Sequence, residues 1–267
     1  MPQNVNDILQ IILRWAHVVA GILWIGHLYF FNFVNAHFAK ALDGPTKKIT
    51  VPQLMPRALY WFRWGAAWTW ITGLLLGGLI YYHSKIVFDD PTLASNNPWL
   101  WLAILLVILA VGFVLYNAIT KAVKSVVIAN AINLALLVAV YFFLEKVGKF
   151  GGRSLYIHTG LILGTMMAAN VWMVIWPAQK RIITATRDGN APDANDVASA
   201  GLRSRHNTYM SVPLVLTMLV QHLSPMYGNT NLLAGIPVRD WCLFGAVAVG
   251  FVVVRLIYGK SAKVAAF

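Results

Sequence analysis

The sequence predicts an all-α fold, a polytopic transmembrane helix bundle, and three observations carry that prediction. Hydrophobic residues make up 59% of the 267 and charged residues 11%, with a mean hydropathy of +0.65. A soluble domain carries about a quarter charged residues. Apolar stretches also recur at spanning length, since a bilayer core of about 30 Å takes about 20 residues of helix. Finally, no extended alternating pattern marks strands, and lipid favours elements that satisfy their own backbone. Nothing in the composition looks like a separate soluble region, so residues 1–267 read as a single transmembrane helical domain.

Seven segments meet or approach spanning length, roughly 9–38, 57–83, 98–117, 124–145, 153–179, 207–224 and 239–258. The first, second and fifth exceed what the core needs, so they tilt or project beyond it. An eighth helix, short or re-entrant near 119–127, is the alternative count. Two stretches read as loops. Residues 84–98 contain Asp89-Asp90-Pro91 and Asn96-Asn97-Pro98, and the longer 180–206 contains Asp188-Gly189-Asn190 and Ala191-Pro192-Asp193, with a helix resuming near Asp196. Gly73 and Gly77 are four apart, as are Gly160, Gly164 and Ala168, the spacing that lets membrane helices pack closely. Eleven Trp and ten Tyr suit interfacial belts.

The formal net charge of +12 belongs to topology and not to nucleic acid, because the basic residues lie in short loops between apolar spans. With the N-terminus outside, the outer segments hold Arg14, Lys85, Lys146, Lys149, Arg153 and Arg239, and the larger remainder of the 21 basic residues falls inside. The positive-inside rule therefore sets the N-terminus outside and the C-terminus inside. The opening MPQNVNDILQ lacks a basic region and a small-residue cleavage site, so it reads as a short tail before a retained span. Cys242 is the single cysteine, which excludes an intrachain disulfide and the C-x-x-C-H of covalent haem attachment.

No carboxylate lies in the middle of an expected span; Glu145 stands at an end. That counts against an ion-coupled transporter, which commonly buries an acid as carrier. There is no carboxylate pair for glycosidase-type chemistry and no glycine-rich phosphate loop. The histidines remain: His17, His27, His37, His83, His158, His206 and His222. His17, His158 and His222, with His83 at a helix end, share one outer level on different helices. His27 is near mid-span, and His37 and His206 are at the inner side. Imidazole ligates haem iron, copper and zinc, and bundle cores are where such sites are built. Gly21 lies one turn from His17 on the same face and leaves room for a flat macrocycle. The competing reading for each histidine is a hydrogen-bonded packing residue. Arg205 and Asn207 flank His206 in RSRHN, and Arg203 and Arg205 read either as a charged helix start or, for Arg205, as part of an inner site. Met166-Met167 hints at copper, yet Met is also a common gap-filler.

Four stretches resemble the membrane domain of the bacterial membrane-bound urate hydroxylase (urate oxidase) family. They are RWAHVVAGILWIG at 14–26, LYWFRWGAAWTWITGLLLGGLIYY at 59–82, HTGLILGTMMAANVWMVIWPAQK at 158–180 and RSRHNTYMSVPLVLTMLVQHLSP at 203–225. The resemblance implies a helical domain of the bacterial inner membrane that supports oxidation of urate to 5-hydroxyisourate. In that family a C-terminal cytochrome c domain is thought to take the electrons. The chain stops at Phe267, without such a domain, so the expected electron partner is a separate cytochrome c or a larger membrane complex. The family's histidines match His17, His158, His206 and His222. The expectation is one or two haems b, with His17 and His158 or His222 as axial ligands and with His206 and Arg205 at a second, inner site. Whether the chain itself catalyses is left open. The alternatives are a non-catalytic subunit of a respiratory or photosynthetic complex, and a transporter for a purine or a metal.

Overall fold

The computed structural model describes residues 3–90, 97–219, 222–223, 227, 231–233 and 236–264. Among these residues the fold is all-α. In chain order the helices are α1 (Gln3–Tyr29), α2 (Ala36–Ala41), α3 (Gly44–Gly77), α4 (Pro98–Ala122), α5 (Val126–Lys146), α6 (Gly152–Ala169), α7 (Trp176–Arg187), α8 (Ala194–Leu219) and α9 (Val238–Ser261). Three π-helical segments interrupt them: Phe30–Asn35, Gly78–His83 and Asn170–Ile175. The strand structure among the described residues is a ribbon of β1 (Asn231–Leu233) against β2 (Ile236–Pro237), antiparallel and too short to leave an alternating signal in the sequence, and an isolated bridge between Phe88 and Phe150.

Five helices are long and apolar enough to cross a membrane: Asn4–Ala41, Pro98–Ala122, Val126–Lys146, Gly152–Arg187 and Val238–Ser261. The other two expected spans correspond to α3 with its π continuation and to α8, both rich in polar residues. No separate helix occupies 119–127. Helix α4 runs to Ala122, Val123 is extended, and Ser125 accepts from the Ile128 amide to start α5.

The helix ends follow capping chemistry. Asn97 accepts from the Trp99 amide ahead of Pro98, which suits the first turn of α4. Asp43 caps α3 through the Thr46 amide. Asp193 caps α8 through the amides of Asn195 and Asp196. The expected 180–206 loop thereby shrinks to 188–193, because the polar residues on either side are helical and Arg181 pairs with Asp196 across the turn. Hydropathy reads a polar helix as a loop; the cap and the ion pair decide otherwise.

The chain divides into two compact units. One comprises 1–13, 73–166 and 214–245; the other comprises 14–72, 167–213 and 246–267. In the first unit Leu105, Leu109, Tyr141, Leu144, Leu155 and Tyr156 form the core with Tyr81, Tyr82, Val87 and Phe150. Its glycines permit close approach. A side chain at Gly160 would collide with Thr217 Oγ1, and one at Gly151 would collide with the Asp89 carboxylate. In the second unit α1 and α3 meet at Gly65, whose missing Cβ would stand 3.0 Å from the Trp24 amide nitrogen.

Candidate functional site

Polar side chains in an apolar span must be satisfied locally, so the partners of each histidine say what it is free to do. In the second unit, His17 Nδ1 lies 3.1 Å from Thr72 Oγ1. The Thr72 hydroxyl has one proton, which it donates to a backbone carbonyl of its own helix, Trp68 O at 2.6 Å. Thr72 therefore accepts from His17, Nδ1 carries the ring proton, and Nε2 presents a lone pair. A second-sphere hydrogen bond of this kind orients a metal-binding imidazole.

The face that His17 begins continues through Gly21 and Trp24, four and seven positions on. A Cβ at Gly21 would meet Thr69 Cγ2 at 3.9 Å, an ordinary van der Waals contact, so this step of the face lies against α3. Trp24 is buried, and its indole N–H has no hydrogen-bond partner among the described residues. A lone pair and an unmatched buried donor on one stripe are the groups that a ligand with acceptor groups would use, as a haem with its propionates would.

His158 in the first unit is held differently. It is 1% exposed. Nδ1 donates to Ser154 O at 2.7 Å, with Ser154 Oγ at 3.1 Å, so the proton is again on Nδ1. Nε2 accepts from the Tyr82 hydroxyl at 2.8 Å. The rings of Phe150, Tyr81 and Tyr82 close around it at 4.8, 5.6 and 5.6 Å between centroids. Both nitrogens are satisfied by the protein, and Nε2 can reach a ligand only where Tyr82 gives way.

The remaining candidates scatter. His222 lies beyond the end of α8 and is exposed. His206 is buried on α8, but of its two neighbours it is Arg203 that is buried with it, while Arg205 is exposed. His37 Nε2 meets Ser261 Oγ at 3.3 Å, and His27 Nδ1 bonds to Leu23 O at 2.7 Å. His83 is exposed. Among the described residues no three His, Cys, Asp or Glu gather as a metal-binding group. His17, His206 and Arg205 belong to one unit, and His158 and His222 to the other.

Sequence reasoning missed the residues that organise these places. Each π-helical segment sets a buried polar side chain against a partner on another helix. Tyr82 of Gly78–His83 meets His158. Asn32 of Phe30–Asn35 donates to Ser204 at 2.8 Å and accepts from Tyr258 at 2.8 Å. Asn170 of Asn170–Ile175 donates to Asn207 at 2.8 Å, and Asn207 in turn donates to Met167 O. Segments of this kind are rare and cluster at functional places. The signal available was Asn170, mid-span in AANVW; Asn32 and Tyr82 carried none that hydropathy could show.

The model of the urate oxidase N-terminal family matches residues 43–265. The chain belongs to that family. Three of the four stretches singled out in the sequence fall inside the match; the fourth, 14–26 with His17 and Gly21, precedes it. No curated protein and no solved structure matches the chain. Membership of the urate oxidase N-terminal family and the five apolar helices together make this a urate oxidase-related membrane protein.

Proposed function

We propose that this urate oxidase-related chain is a redox protein of the bacterial inner membrane, that it binds haem b through His17, and that it passes electrons to a separate cytochrome c. The observation that carries the reading is the His17–Thr72 hydrogen bond, which leaves Nε2 as the ligating atom. A bound haem would supply one-electron exchange. The chain's own residues do the rest. Thr72 fixes the imidazole tautomer and ring plane, and the unmatched Trp24 indole would donate to an acceptor of the bound group. His158 and His222 are the ligand candidates of the other unit, and His206 marks a further inner site. The substrate is urate, which takes up the oxygen of one water to give 5-hydroxyisourate and releases two electrons and two protons. The N-terminus lies outside and the C-terminus inside, following the basic loops.

The test is a reduced-minus-oxidised visible spectrum of the detergent-purified protein, with a pyridine haemochrome to count haem. His17→Ala loses most of the b-type absorbance. Thr72→Val keeps the ligand but weakens haem retention by about 10- to 100-fold, the usual cost of a lost second-sphere partner. Unchanged absorbance in His17→Ala sinks the assignment. A second reading, a non-catalytic membrane subunit whose histidines only pack, draws on His158 and its two satisfied ring nitrogens. Folded protein devoid of haem that co-purifies with a larger complex would select it.

A further inference from the structure

Arg63 sits on α3 in an aromatic box. Its guanidinium carbon lies 4.0 Å from the ring centroid of Trp176, with Trp172 at 5.7 Å and Tyr60 at 5.8 Å. The Trp172 indole donates to Arg63 O at 3.0 Å, which locks that ring to the arginine's own backbone. All nine acids of the chain are among the described residues, and none of them forms an ion pair with Arg63. Its Nε is buried with no hydrogen-bond partner among the described residues.

Stacking satisfies the faces of a guanidinium and leaves its edge. The N–H groups all point in the plane, and rings above and below cannot accept from them. A cation drawn this far from water is stabilised by rings only in part; its edge calls for an oxyanion that can take two parallel N–H donors. The surroundings say where that oxyanion comes from. Tyr60, Trp61 and Trp64 on the same turns of α3 are 47, 53 and 37% exposed. Amphipathic rings of this kind belong at the headgroup level of a bilayer. Lys180, exposed one turn beyond Trp176, adds a second cation on that face of α7.

We propose that Arg63, stacked on Trp176 and flanked by Tyr60 and Trp172, is a binding site for the phosphate of an anionic membrane phospholipid. The site is independent of haem and of urate. The planar fork holds the phosphate edge-on, and the exposed rings pack against the glycerol and upper acyl chain.

The experiment reconstitutes the protein in nanodiscs of phosphatidylcholine and phosphatidylglycerol, releases it, and counts retained phosphatidylglycerol by native mass spectrometry. Wild type keeps phosphatidylglycerol through release. Arg63→Gln keeps about tenfold less, the loss expected for one charge-assisted pair, and Arg63→Lys falls between, because a point charge lacks the fork. Equal retention by wild type and Arg63→Gln, both with native circular dichroism, overturns the proposal. If Arg63→Gln does not fold, Trp176→Leu serves instead: it removes the stack, lowers retention if the box matters, and overturns the proposal if retention is unchanged. Inorganic phosphate added to the wild-type complex separates the two sources of phosphate. Lipid retained against millimolar phosphate supports the headgroup, whereas displacement by it shows a free-anion site and overturns the lipid assignment.

Discussion

His17 and His158 carry their ring proton on the same nitrogen, Nδ1, but differ in what holds the other one. Thr72 anchors His17 and leaves Nε2 open; Ser154 anchors His158 while Tyr82 covers Nε2. The pair thus illustrates two settings of a histidine in an apolar span, one ring nitrogen bonded by the protein or both, and the difference is the Tyr82 hydroxyl. Removing that hydroxyl has a measurable cost. Tyr82→Phe leaves the buried Nε2 without a donor and should destabilise the protein by about 1–3 kcal/mol, read as a fall in Tm in detergent. A Tm equal to wild type would mean that Nε2 is satisfied by another group. The sequence could place both histidines and Gly21 but not this distinction, because Thr72 is 55 residues from His17 and Tyr82 is 76 from His158. Such partners follow from which helices face each other, and hydropathy carries no information on that.

At the scale of elements, span positions were legible and helix ends were not. The fourth span, expected at 124–145, appears as α5 at Val126–Lys146, because its apolar run ends where its cap lies. The second begins at Gly44 instead of 57, because Asp43 caps a polar extension that contains Pro52 and Pro56. Close-packing spacing in GLILG proved informative, since Thr217 and Met218 press directly against the place where a Cβ of Gly160 would be. Gly164, one turn on, finds only Leu214 at 3.9 Å. The two glycines therefore separate in effect. Gly160→Ala forces the helices apart and should cost about 1–3 kcal/mol by overpacking, whereas Gly164→Ala should be near neutral. Thermal unfolding of the two variants side by side checks this, and equal losses would refute the ordering.

For the whole molecule, the informative quantity is how few acids there are and what they do. Asp43, Asp89 and Asp193 cap helices, the second through the Gly152 amide. Asp188 and Asp196 pair with Arg187 and Arg181. Glu145 and Asp240 are buried around Arg239, with Lys146 also 3.1 Å from Glu145 Oε2, and Tyr141 donates to Asp240; Asp7 and Asp90 are exposed. That cluster joins α5 to α9, and sequence reading passed over it because each member stands at a helix end. Arg239→Gln leaves buried Asp240 without its counter-charge and Glu145 with exposed Lys146 alone, and should cost about 3–5 kcal/mol, seen as a large drop in Tm or loss of folded yield; a small shift would show that water reaches the cluster. With the acids committed in this way, no carboxylate is left in mid-span to ferry a proton or cation, which weighs against ion-coupled transport.

The three π-helical segments have a consequence for how this chain tolerates change. Each turn of π-helix houses one more residue than the α-helix around it, and every residue advances an α-helix by about 100°. The aim of Tyr82, Asn32 and Asn170 is therefore set by chain length as much as by side-chain identity. A substitution within Gly78–His83 alters one group, but a one-residue deletion there would snap the turn back to α geometry. The turn would still close one circle, so the helix beyond it would keep its facing, while the tyrosine within it would swing off the imidazole with its own atoms intact. At these three places a change of length by one residue redirects the polar group of the turn and spares the helix around it.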